Sequence, residues 1–144
     1  MAISGFDHAA MPARDPGALI DFYRRLGFTV VGEDAWRAGR VPVVVFAFGD
    51  AKINVHAPAL WQNPRFTLRG PAAQPGCGDY CFTWDGGLAA LQAMLARAGA
   101  EVIEGPVARV GGRAAGTAEG TSLYIRDPEG NLLEFIVYPA ASGE

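Results

Sequence analysis

The chain has 144 residues, half of them hydrophobic, which is enough for one ordinary domain with a real core and argues against disorder. Twelve lysines and arginines stand against 15 acids, and no basic cluster appears, so a nucleic-acid partner is not expected. No apolar run reaches membrane-span length, and Met1-Ala-Ile-Ser-Gly-Phe-Asp lacks a charged segment followed by an apolar one; a soluble, cytoplasmic protein is expected.

From Phe6 to Met11 a short strand would put Phe6, His8 and Ala10 on one face. Asp15-Pro16 then reads as a helix N-cap and first helical position, Leu19, Phe22, Tyr23 and Leu26 recur at helical spacing, and Gly27 closes the helix. Phe28–Val31, Val41–Phe48 and Lys52–His56 are three further strands, the last two joined at Gly49-Asp50. Pro58, Pro64, Pro71 and Pro75 make residues 58–77 a linker. The pattern then returns. Asp79–Trp84 is a strand, Leu88–Ala98 is a helix ended by Gly99, Glu101–Ile103 is a short strand, and Ser122–Tyr138 is a hairpin turning at Asp127-Pro128-Glu129-Gly130-Asn131. The chain thus predicts an α+β fold, a single domain of two tandem β-α-β-β-β modules, 4–57 and 78–138, with curved mixed sheets and the helices outside.

Offsets support the duplication. Gly27 and Gly99 differ by 72, and His8 and Asp79 by 71. His56 and Glu134 each lie seven residues past the start of a hairpin turn and differ by 78; the extra residues fit a longer loop at Gly111–Gly120. Glu134 falls mid-strand between Leu132 and Ile136 on its own face, where a carboxylate needs a cation, a hydrogen-bond donor or a metal. Lys52, Asn54 and His56 share one strand face, and Asp79, Cys81 and Thr83 another, so each can line a cavity. Two imidazoles and a carboxylate are a donor set for a divalent first-row metal with positions left open.

Alternatives stand beside these readings. His8 also suits a satisfied core position, and His56 a surface position before Ala57-Pro58. Asp79 also suits a turn acceptor after Gly76-Cys77-Gly78. Cys77 and Cys81 are read as free thiols of a reducing compartment, and Cys81 as a small buried filler outside any mechanism. Tyr124 and Arg126 share a face from which they either reach substrate or meet solvent. Arg109 and Arg113 flank a Gly-rich loop that either closes over an anion or stays solvated.

The paired modules, Asp7-His8, Asp15-Pro16 with Phe22-Tyr23 and Leu26-Gly27-Phe28, and Asp127-Pro128-Glu129-Gly130-Asn131-Leu132-Leu133-Glu134 resemble the vicinal oxygen chelate superfamily of glyoxalase I, bleomycin-resistance proteins, fosfomycin-resistance enzymes and extradiol dioxygenases. Gly49–His56 together with Glu104-Gly105-Pro106-Val107 is similar to a subgroup called glyoxalase-domain-containing or virulence-associated proteins. The resemblance implies a metal-dependent enzyme acting on a small molecule with two neighbouring oxygens, as a glyoxalase-type lyase or isomerase or as a dioxygenase. It implies a homodimer and a divalent ion, Mn, Fe, Ni or Zn, held by His8, His56 and Glu134. Asp79 would be a further ligand or, like Glu134, a catalytic group, and Asn54, Tyr124 and Arg126 would meet substrate. The chain departs from glyoxalase I in carrying Asp79 and His56 where that enzyme has a histidine and a glutamate. The competing expectation is a metal-free protein that sequesters a drug in an acidic cleft lined by Trp36, Trp61 and Trp84.

Overall fold

A computed structural model describes residues 2–140. Its strands form two four-stranded mixed sheets. In the first, β1 (His8–Pro12), β2 (Thr29–Val31), β3 (Val43–Phe48) and β4 (Ala51–His56) take the order β1-β4-β3-β2. In the second, β5 (Asp79–Thr83), β6 (Glu104–Val110), β7 (Glu119–Arg126) and β8 (Leu132–Val137) repeat that order as β5-β8-β7-β6. Each sheet has one parallel pair, first strand with last, and antiparallel pairs elsewhere. That is the topology expected of a β-α-β-β-β module, because a parallel neighbour requires a crossover while hairpins do not.

In the first module α1 (Pro16–Leu26) begins where the Asp15 side chain accepts from the Ala18 N–H at 3.3 Å and Pro16 presets the first helical φ. It ends at Gly27, whose φ of 102° is left-handed. Leu19, Ile20, Tyr23 and Leu26 are buried on its inner stripe, as are Val44, Phe46, Ile53 and Val55 on the matching sheet face. Tyr23 stacks on Phe46 at 4.4 Å and meets Phe28 edge-on at 5.1 Å. In the second module α4 (Leu88–Arg97) buries Leu91, Met94 and Leu95, and the sheet buries Phe82, Leu123, Ile125, Leu133 and Phe135. The polar face of each sheet is the other one, as strand alternation requires.

Two short helices lie where the sequence predicts none: α2 (Glu33–Arg37) between β2 and β3, and α3 (Pro58–Trp61) at the start of the linker. Neither has the length to show helical periodicity. The short strand expected at Glu101–Ile103 is displaced; the pairing strand is β6, which carries a register shift between Glu104 and Val107 and a cis Gly105–Pro106 peptide. A proline argues against a strand, yet β6 is an edge strand, where a missing donor is tolerated.

The chain forms two compact units. One runs to Cys77 and takes in Pro128–Gly130; the other holds Gly78–Asp127 and the chain from Asn131 onward. Within the first, the Glu129 carboxylate accepts from the backbone N–H groups of Arg14 at 2.8 Å and Asp15 at 2.6 Å, just before α1. Among the described residues no helix is long and apolar enough to cross a membrane.

Candidate functional site

Pairing register decides which side chains can meet. In the second module Cys81 lies opposite Glu134 on the parallel pair, and Tyr124 lies opposite Glu134 on the antiparallel one. Ser122 and Arg126 share that face two positions to either side of Tyr124. The need for a partner at Glu134 is met by neutral donors: the buried Ser122 hydroxyl donates to it at 2.6 Å, and the Cys81 thiol is hydrogen-bonded to it as well. Neither donor is evident from sequence, because each comes from a different strand and only register brings them to the carboxylate.

Cys81 is therefore not the buried filler expected. Its residue is open on the polar face, while its sulfur is sheltered enough that burial, then the Glu134 charge and hydrogen bond, then Asp79, push the thiol up to about 12. It stays a protonated donor, since the thiolate is the reactive form. Asp79 is exposed at the start of β5, opposite Leu132. Arg126 is exposed and lies opposite Leu132 on the other side. The Tyr124 hydroxyl accepts from Arg109 Nε at 2.9 Å, and the Arg109 guanidinium lies 5.5 Å from the Tyr124 ring, so that arginine is tied to the sheet.

In the first module, His8 pairs with Lys52 and Pro12 with His56. His8 and His56 are thus four positions apart along one parallel pair, about 13 Å at 3.3 Å per residue, and the module does not bring them together. This corrects the equivalence of His56 with Glu134. The register partner of Ala10 is Asn54 and that of Cys81 is Glu134, so Asn54 is the counterpart of Glu134. The error has a physical cause: two residues separate β3 from β4 and five separate β7 from β8, so counting from the start of each turn misaligns the strands that follow. Asn54 keeps its role as a candidate contact, because its Oδ1 is buried and has no hydrogen-bond partner among the described residues.

His8 is 46% exposed, and its Nδ1 lies 2.6 Å from the Asp7 carboxylate. A carboxylate only accepts, so Nδ1 is the donor here, and whenever the ring is neutral Nε2 presents a lone pair. Asp7 is held below the usual carboxylate range by the hydrogen bond from His8, then by the charge on that ring, with a smaller contribution from Lys52. His56 stands instead under the linker, edge-on to Phe66 at 5.4 Å, and burial together with the nearby Arg69 lowers its pKa below the ordinary 6.5. A base that binds its proton less readily folded than unfolded adds stability above pH 6.5 and loses it as pH falls through the lowered value. The unfolding midpoint is expected to drop between pH 7.5 and 5.5, and the His56→Gln variant to show a smaller drop; equal slopes in thermal melts would contradict this.

The second module also holds a cavity of about 530 Å³ lined by Cys81, Thr83, Glu134, Ile136 and Tyr138 and by residues 110–113. The loop between β6 and β7 forms its rim. Ala114 and Ala115 there have φ of 53° and 57°, the left-handed region, which costs roughly 1–2 kcal/mol for each non-glycine residue. The Thr117 hydroxyl, which donates to the Ala114 carbonyl at 2.7 Å, helps hold the turn. Of the three tryptophans, Trp61 spends its N–H on the Ala13 carbonyl at 2.9 Å, and Trp36 lies under the Arg37 guanidinium at 5.2 Å. The Trp84 N–H is buried without a partner among the described residues.

For a divalent ion, the expected trio fails at His56. His8 suits the role by itself, since a ligating histidine ordinarily gives its second ring N–H to a carboxylate, as here to Asp7. Glu134 offers an anionic oxygen with its geometry fixed by Ser122. Among the described residues no group of three or more His, Cys, Asp or Glu is gathered where it could hold a metal.

Comparison with known proteins matches this architecture. Residues 5–135 fit the model of the Glyoxalase/Bleomycin resistance protein/Dioxygenase superfamily. The glyoxalase domain-containing protein RDO1 of Mycosarcoma maydis is 36% identical over 141 residues, covering 98% of this chain and 72% of that protein. Virulence protein STM3117 of Salmonella typhimurium is 34% identical over 139 residues, 96% of this chain and 87% of its own. The crystal structure of STM3117 superposes with a TM-score of 0.78, covering 96% of this chain and all of that one at 33% identity. An integron cassette protein from V. cholerae gives the same TM-score at 31% identity, over 96% of this chain and 98% of that one. The chain belongs to the Glyoxalase/Bleomycin resistance protein/Dioxygenase superfamily.

Proposed function

We propose that this chain is a divalent-metal-dependent enzyme acting on a small molecule with two neighbouring oxygens, of lyase, isomerase or dioxygenase type. The supporting observation is the Asp7–His8 pair, which fixes one ring nitrogen as a donor and leaves Nε2 with an available lone pair. Taken module by module, the candidate donors are His8 in the first, and Glu134 and Asp79 in the second. A bound divalent ion supplies Lewis-acid polarisation of substrate oxygens.

The remaining work falls to the protein's own groups. Ser122 Oγ, donating at 2.6 Å, orients one oxygen of Glu134, so that this carboxylate takes up and returns a proton at a fixed position. Cys81, with its thiol protonated, adds a second donor and does not compete as a nucleophile. Tyr124, held by Arg109, and the unpartnered Asn54 Oδ1 are the groups that orient substrate in their respective modules.

Elemental analysis of protein purified without added metal or chelator tests the reading. Near-stoichiometric Mn, Fe, Ni or Zn is expected, falling at least tenfold in the His8→Gln variant while its unfolding midpoint stays within a degree or two. Protein that is metal-free and takes up none on dialysis against these ions would overturn it. The second reading, a metal-free small-molecule carrier, is favoured by the Lys52 position opposite His8 and by the separation of His8 from His56. It predicts that empty result.

A further inference from the structure

The cavity of the second module contains one cation that the catalytic reading leaves unused. Arg113 sits on the strained rim with its guanidinium 4.3 Å from the centre of the Tyr138 ring, and among the described residues it has no ion-pair partner. Arg109, on β6 just before this loop, is already committed to Tyr124. Stacking on an aromatic face holds a guanidinium plane in place while leaving its edge donors available, and those donors match a planar oxyanion in two places at once.

The cavity walls add to the requirement. Ile136 and the Tyr138 ring line the same cavity and give it an apolar side. Glu134, the acceptor in the same cavity, suits a ligand hydroxyl. Gly111 is the residue that lets the rim approach, since a Cβ at that position would overlap the Tyr138 hydroxyl. A volume of about 530 Å³ is within the range that encloses a small organic ligand.

We infer that this cavity takes a small hydroxy acid with an apolar or aromatic body, its carboxylate gripped by Arg113, its body along the Ile136 and Tyr138 side, and its hydroxyl directed to Glu134. The inference deepens the small-molecule reading above by naming a substrate class, and it does not depend on the metal.

The test uses full-length protein treated with EDTA and, in parallel, protein reloaded with metal. Mandelate, phenylacetate and mandelamide are titrated into each by calorimetry. Mandelate is expected to bind at least tenfold more tightly than mandelamide, which lacks the charge, and severalfold more tightly than phenylacetate, which lacks the hydroxyl. Arg113→Gln should weaken mandelate by about tenfold or more and leave mandelamide nearly unchanged, whereas Arg113→Lys should restore part of the loss. Because Arg113 is exposed, the variants are expected to fold; circular dichroism checks this. A wild-type protein that does not prefer the acid to the amide, that binds no acid below about 10 mM, or whose affinity for mandelate Arg113→Gln leaves within twofold, overturns the inference. A protein that binds mandelate equally well in both preparations but retains no metal upholds the acid site and defeats the metal reading, so the two failures are distinguishable.

Discussion

Gly105→Ala should destabilise the protein by about 3 kcal/mol, read as a lowered urea midpoint with an unchanged m-value. Gly105 lies in β6 with φ of 107°, which an alanine adopts only under strain. A Cβ there would also overlap the backbone carbonyl oxygen of Ser122 and lie 3.2 Å from Leu123 Cα, neither of which is a flexible tip that can swing away. The overlap acts on β7, the strand that carries Ser122 to Glu134. The substitution should therefore disturb the carboxylate as well as the fold, and a variant within 1 kcal/mol of wild type would show that β6 is not held in this register.

Asn131→Ala should cost about 3–4 kcal/mol, since it strips two hydrogen bonds at once, one of them to a buried carboxylate. Asn131 is fully buried, and Asp127 is 5% exposed. The Asn131 side-chain nitrogen donates to Asp127 Oδ2 at 2.7 Å, while its Oδ1 accepts from the Gly78 N–H at 2.7 Å. The Gly78 carbonyl in turn accepts from the Leu132 N–H at 2.9 Å, so this one side chain sets where β5 starts against β8. Losing it should remove the donor to Asp127 Oδ2 and the acceptor for the Gly78 N–H, and allow Asp79 to shift. Asn131→Asp is expected to be no better, because it places a second carboxylate against the first. Chemical denaturation of both variants checks the prediction; near-wild-type midpoints would contradict it.

The modules are legible in the sequence because their strongest signals are local. Asp15-Pro16 and Gly27 bracket α1 in eleven residues, and the turn at Asp127–Asn131 announces β7 and β8. What sequence could not place depends on distant pairing. β6 has a glycine and a proline at its second and third positions that locally oppose strand structure, and its identity comes from the pairing of Glu104 and Val107–Val110 with β7. The same holds for the site. Glu134 announces itself because a mid-strand acid needs a partner, yet Ser122 and Cys81 look like ordinary small residues until β7 and β5 flank β8. His56 stands out in the sequence as one of two histidines, but histidine also packs well beneath a loop, and Phe66 is what it meets. Asn54 was expected as a substrate contact; register adds that it occupies the place Glu134 has in the other module.

The hydrogen bonds from Arg14 and Asp15 to Glu129 bear on how this gene can be dissected. The helix entry in the N-terminal half is completed by a side chain encoded some 115 residues later. A fragment ending in the linker would present two bare backbone donors at that entry, so halving the gene does not yield a self-sufficient ancestor of the duplication. A synthetic peptide spanning the distal turn, added in trans, is the natural complement to such a fragment.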